Sequence, residues 1–400
     1  AVRRATNLAA KRDWVFHLPE KRITIKHPNH RHTFCGYYDR SPWSSDGENL
    51  LICCTDSDSF TDLVEPAHIY IFHIQTGKFK HIASTLCWNF QQSAQQQWCD
   101  ENRIILNSWK NGSPVMELYS TEGQKGKFLQ AIPHHGGMVH RGRQLVALYD
   151  YGPMSVFEHD YGYRLDIDMF QYKKNDEHLK IDLFSLQKMC LIKSLNSDYL
   201  KKVDENDDIS RVGTRYIQHV KFNYNGDRLL FVLRSAPPGR KVPFSSLYAY
   251  DCQKNILKKL ISTKDWMKGC NHPVWASNEE ILVNLFSESY KARKFTLINA
   301  STGQRRIIAP WHDGVGHPTV CNGARFILTD EYLSTGEQLL CQYKLPFGQR
   351  KVIGKFPKAK YPKGADRCDL HPRYDSMSRR IAVDHYDGGG RAVSLVGPIR

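Results

Sequence analysis

One pattern of polar and apolar positions recurs along the chain. Each copy has a polar start, a short aromatic or aliphatic segment, a turn, and a second segment rich in β-formers, which predicts two paired strands. Three of the turns are Asp-Gly or Asn-Gly pairs, which favour tight hairpins because they accept positive φ. The seven copies are Tyr38–Leu51, Gln95–Leu106, Gly136–Leu148, Gln218–Val232, His272–Val283, His317–Leu328 and His371–Val383.

The turns lie about 40 to 55 residues apart, which is the period of four-stranded propeller blades. Each copy continues into two more strand-like segments, such as Ser246–Asp251 and Ile256–Ile261 in the fourth. The seventh copy ends too early for a fourth strand, so we expect Arg22–Lys26 to supply it and close the ring. The sequence therefore predicts an all-β protein whose residues 1–400 form one seven-bladed β-propeller.

One interval between turns, of about 84 residues, is longer than the others. Its excess predicts inserted loops at about 152–178, within the third blade, and at about 196–215, between the third and fourth blades. In a propeller, both loops would emerge on the face where the innermost strands begin. Long loops on one face of a rigid scaffold often carry function, so we expect the site on that face.

Histidines recur six residues before the turn, or five in the sixth copy, where the innermost strand begins. Neutral imidazoles that converge on one channel mouth would suit zinc, with manganese or calcium as alternatives. The same histidines could instead cap strands by bonding neighbouring backbone. The third copy has His135 at this position. The expected metal ligands are His219, His272 and His317 first and His371 next, with Cys270 and Cys368 as alternatives for a further ligand.

Composition narrows the class of partner. A net charge of +15 and a pI near 9.2 favour a polyanion such as an acidic polysaccharide, or simply a solvated basic surface. The basic residues are scattered, so we expect no nucleic-acid partner, and no stretch approaches the ~20 apolar residues of a membrane span. The first residue is Ala, which agrees with a removed secretion signal or a shortened chain. We expect a monomer that is secreted or periplasmic in a bacterium.

The cysteines and tryptophans fit a packed β-protein. The 11 cysteines show no repeated Cys-x-x-Cys spacing, which argues against a disulfide framework or a zinc ribbon. Cys53, Cys54 and Cys190 fall in apolar strand patterns and are expected to be buried thiols. The tryptophans that match the repeat are expected in the core, and these are Trp43, Trp98 and Trp275.

Five short runs carry a family resemblance: Tyr37–Trp43 (YYDRSPW), Trp88–Asn89, Tyr161–Arg164 (YGYR), Tyr216–Phe222 (YIQHVKF) and Arg367–Arg373 (RCDLHPR). In blade order they resemble the seven-bladed polysaccharide lyases that cleave ulvan, over nearly the whole chain. Related propellers include the oligogalacturonate lyases, which share the ring and a histidine-bound metal. The resemblance implies β-elimination at the uronic acid of a sulfated, anionic polysaccharide.

The resemblance also implies catalytic residues. In the ulvan lyases a His and a Tyr transfer protons while an Arg neutralises the carboxylate. A Tyr followed sixteen residues later by an Arg gives Tyr199 and Arg215 here. The matching histidine at the entrance of the third blade is His134 or its neighbour His135, and His134 is preferred because His135 occupies the ring position.

The chemistry explains these residue types. A guanidinium stays charged and binds carboxylates bidentately, so Arg215 would stabilise the enolate-like intermediate formed when the weakly acidic C5 proton leaves. His134 would be the base and Tyr199 the acid toward the leaving oxygen, or the reverse. The metal would be structural, unless it binds the uronate as a Lewis acid. The residues expected to bind substrate are His135, Trp88, Tyr163 and Arg164.

Two other functions fit the same sequence. An oligogalacturonate-type lyase would act on short pectic fragments with a catalytic metal, and it would lose activity on chelation. A non-catalytic propeller would bind glycan or protein, since propellers host many functions. A hydrolase with paired carboxylates is disfavoured, because no such pair recurs near the expected channel mouth.

Overall fold

The structure is a computed structural model, and its strands form seven four-stranded antiparallel sheets. This arrangement confirms the predicted all-β, seven-bladed propeller. The structure describes residues 22–59, 65–158, 160–163, 178–203, 213–240, 242–321, 323, 325–345, 348–358 and 364–399. Of the site residues predicted above, Arg164 lies outside these ranges.

The first four blades follow one another along the chain, each as four consecutive strands. Blade one contains β2 (His32–Phe34), β3 (Asn49–Thr55), β4 (Ala67–His73) and β5 (Lys78–Thr85). Blade two contains β6 (Gln97–Trp98), β7 (Arg103–Lys110), β8 (Ser113–Ser120) and β9 (Lys127–Pro133). Blade three contains β10 (Gly136–His140), β11 (Leu145–Leu148), β12 (Ile181–Ser185) and β13 (Cys190–Leu195). Blade four contains β14 (Thr214–Phe222), β15 (Arg228–Ala236), β16 (Phe244–Asp251) and β17 (Ile256–Ile261).

The last three blades lead back to the N-terminal strand. Blade five contains β18 (Cys270–Trp275), β19 (Glu280–Ser287), β20 (Ala292–Asn299) and β21 (Arg305–Ile307). Blade six contains β22 (Thr319–Cys321), β23 (Phe326–Tyr332), β24 (Gln338–Lys344) and β25 (Gln349–Phe356). Blade seven contains β26 (Arg373–Tyr374), β27 (Ile381–Asp387) and β28 (Gly390–Val396), with β1 (Arg22–Ile25) beside β28.

The ring is closed by strands from both ends of the described chain, as the sequence predicts. β1 pairs antiparallel with β28, from Arg22 opposite Val396 to Ile25 opposite Val393. Ile25 is 2% exposed, so the closing strand contributes an apolar side chain to the core as well as backbone hydrogen bonds. Closure covers the edge of β28, which would otherwise be free to pair with another chain.

The first strand of each blade is innermost, and these strands contact one another around the axis in blades two to seven. We call the face where they begin the upper face, and the face with the hairpins to the second strands the lower face. An extra residue bulges from β14 between Gln218 and Lys221, from β18 between Asn271 and Val274, and from β10 between Gly136 and Val139. Such bulges bend a strand and re-aim its side chains.

The core lies between the blades and confirms most of the burial predictions. Trp43, Trp98 and Trp275 are 1%, 3% and 6% exposed, and Cys53 and Cys54 are fully buried. The prediction for one cysteine is wrong. Cys190 is exposed because β13 is the outermost strand of its blade, and the next two residues of that strand also face solvent.

Both predicted insertions begin with a short helix. Residues 152–178 start with α1 (Gly152–Phe157), and residues 196–215 contain α2 (Ser197–Val203). A third helix, α3 (Thr263–Gly269), joins blades four and five and is capped by Ser262, whose side chain accepts from the amide of Asp265. No helix in the described part of the chain is long and apolar enough to span a membrane.

Candidate metal centre

Four histidines converge on the innermost strands of blades four to seven, two of them within β14 and β18 and two just before β22 and β26. His219, His272 and His371 have left-handed φ values of 57°, 55° and 44°, which are unusual for residues with a side chain. His317 follows Gly316, which takes the positive φ itself, at 66°. The ring centroids of His272 and His317 are 4.2 Å apart, and those of His317 and His371 are 4.3 Å apart. The unusual backbone therefore serves to cluster imidazoles.

Two of these rings are oriented by backbone carbonyls. His272 Nδ1 lies 2.6 Å from Gly316 O, and His371 Nδ1 lies 3.0 Å from Gly36 O. A carbonyl oxygen can only accept, so each Nδ1 carries the hydrogen and each Nε2 presents a lone pair. His371 Nε2 is buried and has no hydrogen-bond partner among the described residues. This is how proteins orient metal-binding histidines.

The third ring is oriented by a carboxylate. His317 Nδ1 lies 3.0 and 3.1 Å from the two oxygens of Asp330, which is fully buried. Burial raises the pKa of Asp330, but His317 and backbone donors outweigh it, so the net pKa is lowered and the carboxylate is ionised. An ionised carboxylate only accepts, so His317 Nδ1 carries a hydrogen, and Nε2 is the ring nitrogen left for a metal.

A carboxylate lies among the imidazoles. Ligand atoms of His317, Asp369 and His371 lie within 4.8 Å of one another, and His371 Nε2 is 3.9 Å from Asp369 Oδ2. Burial lowers the pKa of His272 and His371 well below the ordinary value, which keeps both imidazoles neutral. Neutral imidazoles with one carboxylate suit a divalent ion such as zinc or manganese. The residues present therefore fit a divalent metal ion.

The fourth histidine differs from the other three. His219 stacks on Tyr37, with ring centroids 5.4 Å apart and planes 19° apart. Its ring makes no hydrogen bond to any residue that the structure describes. Burial, followed by Lys221 and Arg234, lowers its pKa well below the ordinary value. His219 is thus a neutral imidazole beside the cluster rather than an anchored member of it.

A segment of blade one forms the floor of the site. We call residues Tyr37–Arg40 the plug, because they cross the axis and contact the opposite blades. The Tyr38 ring packs against His272 and His317, with centroids 5.8 and 5.3 Å away. Asp39 pairs with Lys221 of blade four at 2.9 Å. The plug therefore separates the histidines from the lower half of the channel.

Two arginines carry positive charge at the site. Arg367 Nε donates to Asp369 Oδ2 at 2.9 Å, and Arg367 Nη2 donates to the Tyr161 hydroxyl at 2.7 Å. Arg234 Nε lies 3.3 Å from Glu158, which follows α1 in the first insertion. The first insertion thus reaches the histidine cluster, as expected for a loop on the upper face.

The residues predicted to be catalytic do not form one group around the cluster. Arg215 and His134 both lie at the upper face, near the starts of β14 and β10, and both are half-buried. Tyr199 lies in α2 against the outer hairpin of blade four, where its hydroxyl donates to Asn255 O at 2.7 Å. Its phenol is therefore held at the outside of the ring. The structure does not bring Tyr199 to the channel mouth.

The residues predicted to line a substrate groove are core residues where the structure describes them. Trp88 is 4% exposed and donates to Glu65 O, and Tyr163 is 2% exposed and stacks on Tyr151. His135 is 1% exposed, with Nε2 3.0 Å from Ser108 O. In the structure, the aromatic surfaces of these three residues pack against neighbouring side chains and backbone.

The ring position of blade three also needs correction. Counting six residues back from the turn gives His135. In blade four, however, His219 lies two residues before Lys221, which is the first residue after the bulge that pairs with β15. The corresponding residue of blade three is Val139, and the residue two positions before it is Gly137. The count failed because a 3₁₀ turn lengthens the hairpin of blade three. This correction leaves His219, His272, His317 and His371 as the histidines that recur at one position of blades four to seven.

Sequence reasoning missed the acidic members of the site. Asp369 lies in the run Arg367–Arg373, and its Asp-x-His spacing to His371 could have signalled a ligand pair on an extended segment. No sequence pattern indicates Asp330, because it belongs to the second strand of blade six and contacts His317 only in the folded sheet. The alternative ligands Cys270 and Cys368 are buried and are not in the group that could hold a metal.

The comparisons with known proteins concern the fold. No protein-family model and no curated protein matches this sequence. The chain is similar to an oligogalacturonate lyase solved with manganese, at a TM-score of 0.61 and 10% identity over 95% of this chain and 98% of that one. It is similar to an oligogalacturonate lyase from Vibrio parahaemolyticus, at a TM-score of 0.58 and 9% identity over 95% and 98%. The tricorn protease gives a TM-score of 0.51 and 10% identity over 95% of this chain and 34% of that one. At such identities the likeness shows the shared propeller fold.

Proposed function

We propose that this protein is a metal-dependent lyase that cleaves a uronate-containing saccharide by β-elimination. The observation that carries the proposal is the buried group of His317, His371 and Asp369, whose ligand atoms lie within 4.8 Å of one another, with the ring of His272 4.2 Å from that of His317. Those four residues would hold the ion. The propeller fold shared with two oligogalacturonate lyases, one solved with manganese, supports the same reading.

The chemistry follows from the groups around the cluster. A bound divalent ion would act as a Lewis acid toward the uronate carboxylate. Arg234 would hold that carboxylate and offset the charge that develops as the C5 proton leaves. Arg367 would act through Asp369, because its Nε–H fixes the orientation of that carboxylate.

Proton transfer needs an acceptor and a donor. His219 is the acceptor we propose, because it is neutral and its ring is not committed to a hydrogen bond within the described chain. It takes the C5 proton, the C4–O bond breaks, and a C4–C5 double bond forms. The leaving oxygen then receives a proton from Tyr161, whose hydroxyl accepts from Arg367 and whose pKa is raised by burial, so that it keeps its proton.

The ulvan reading is the second candidate, with His134 and Arg215 as its carriers. Both residues lie on the upper face near the starts of neighbouring innermost strands, which supports it. It lacks a phenol, because the Tyr199 hydroxyl is bound to Asn255 O. We therefore propose an oligogalacturonate-type substrate first and ulvan second.

Substrate and variant tests separate the two. The protein is incubated with oligogalacturonate, with its methyl ester as the matched substrate lacking the carboxylate, and with ulvan, while ultraviolet absorbance follows the unsaturated product. We expect cleavage of oligogalacturonate but not of its ester. Arg234→Ala should lower kcat/KM by about 10²–10³-fold, and Arg215→Ala should change it less than threefold. Cleavage of ulvan that depends on Arg215 would favour the second candidate, and no product from any polyuronate would reject both.

A further inference from the structure

A second cavity occupies the lower half of the channel. Its volume is about 550 Å³, and its roof is the plug residues Tyr38, Asp39 and Arg40. Its walls come from the part of the innermost strands that follows the histidines, such as Lys221 two residues beyond His219. The cavity therefore lies on the opposite side of the plug from the metal centre and opens at the lower face.

The roof carries an unbalanced charge. Asp39 lies 2.9 Å from Lys221 Nζ and 3.1 Å from Arg40 Nη1, and all three side chains are at most 7% exposed. One carboxylate thus faces two cations, and the group has a net charge of +1. An uncompensated charge away from water is costly, so the group favours an additional anion beside it. The pKa of Lys221 is lowered to about 8, with burial as the largest cause.

Arg373 is a third cation in the lining of the same cavity, and one of its nitrogen donors is unused. Arg373 is 2% exposed, and it donates from Nε to Tyr37 O at 3.2 Å and from Nη2 to Asp384 at 2.9 Å. Its Nη1 is buried and has no hydrogen-bond partner among the described residues. Buried guanidinium nitrogens are normally satisfied, so this one points to a ligand that accepts hydrogen bonds.

The rest of the lining is mainly apolar. Met138, Phe222, Trp275 and Val320 come from four different blades and surround the space below the charged roof. Tyr224 lies at the lower rim and is 60% exposed, which is high for an aromatic side chain of this size. A cationic roof above an aromatic wall is complementary to a molecule with one anionic end and an apolar body.

We infer that the lower channel is a binding site for a small organic carboxylate. The carboxylate group would lie against Lys221, Arg40 and the free edge of Arg373, and its apolar body would lie between Phe222 and Trp275. The binding is non-covalent. It goes beyond the proposed lyase function and is independent of it, because the plug separates this cavity from the histidine cluster.

The site is tested with 4-fluorobenzoate, whose ¹⁹F resonance broadens on binding. We expect saturable broadening that excess benzoate reverses, and at least tenfold weaker binding of the neutral matched probe 4-fluorobenzamide. Binding should persist after chelation and in Asp369→Asn, which changes the upper site at a residue whose partners are Arg367, Tyr332 and His371 rather than the plug. Equal binding of the amide, loss of binding in Asp369→Asn, or no binding of 4-fluorobenzoate would each overturn the inference.

Three variants locate the probe. Lys221→Met removes a roof cation and should weaken 4-fluorobenzoate binding at least tenfold. Because that change also breaks an ion pair inside the channel, a variant at the rim of the cavity, which breaks no ion pair, is tested as well. Tyr224→Ala should weaken binding at least threefold, whereas Tyr290→Ala, an aromatic of 46% exposure away from the cavity, should leave it unchanged. Equal affinities in the two tyrosine variants would place the probe elsewhere and contradict the site.

Discussion

Replacement of Asp330 by Asn should weaken metal binding although Asp330 is not among the proposed ligands. Three donors converge on its carboxylate: the His317 amide at 2.7 Å, His317 Nδ1 at 3.0 Å and the His371 amide at 3.3 Å. An amide side chain offers one oxygen and one NH₂ group, so the NH₂ would face donors. His317 could then relieve the conflict only by moving its hydrogen to Nε2, which removes the lone pair needed by the metal.

The expected loss of metal affinity follows from the effect of other residues that orient metal ligands. Loss of a partner that orients a metal ligand costs about 10–100-fold in affinity, or about 1.4–2.7 kcal/mol. Buried donors left without acceptors also cost about 1–3 kcal/mol of folding stability. Affinity is therefore measured by calorimetric titration of metal-free protein with Mn²⁺ and with Zn²⁺, at a temperature where circular dichroism shows the variant folded.

The next residue of β23 provides a matched control. Glu331 accepts from Arg350 at 2.8 and 3.0 Å on the other face of the strand. Glu331→Gln should lower stability by a similar amount and leave the metal affinity unchanged. An affinity of Asp330→Asn within twofold of wild type, or an equal loss in Glu331→Gln, would refute the reasoning that the carboxylate acts by fixing the His317 tautomer.

Three further predictions concern the fold. Ile25→Asp should lower the free energy of unfolding by about 3 kcal/mol or more in urea titrations, since it places a charge where the closing strand meets Val393. Trp43→Ala should cost about 3–5 kcal/mol in the same assay, because the residue is 1% exposed. Burial is the largest cause that lowers the pKa of His385 to about 4, so the unfolded state binds the proton more readily. Stability should therefore be full above pH 6.5 and fall as the pH drops from about 6.5 to 4. His385→Gln, which can still bond Ser394, should flatten that slope, and an unchanged slope would contradict the assignment.

The sequence predicts the ring well because each blade repeats the same pattern of strand segments and turns. Turn pairs such as Asn225-Gly226 fix the hairpins, and the missing fourth strand of blade seven has one evident donor in β1. Burial follows where a strand is central, as at Cys53. It fails where a strand is outermost, as at Cys190, because an apolar run does not say how far it lies from the axis.

Only part of the site can be predicted from the sequence. The histidines can be predicted because they repeat at one blade position. Asp330 and Arg234 belong to second strands, and only the folded sheets bring them close to the cluster. Counting residues also misplaced His135, since a longer hairpin shifts the register by two. The assignment of Tyr199 rested on spacing within an inserted segment, where chain length does not determine which way a helix turns a side chain.

The central claim is that the histidine cluster binds one divalent ion on which lyase activity depends. The direct test is a titration of chelator-treated protein with Mn²⁺, in which bound ion and the rate of oligogalacturonate cleavage are measured in the same samples. The account predicts one ion per chain at the upper site, a rate proportional to occupancy, and loss of both in His371→Ala. Full activity without bound metal, or tight binding that survives in His371→Ala, would contradict it.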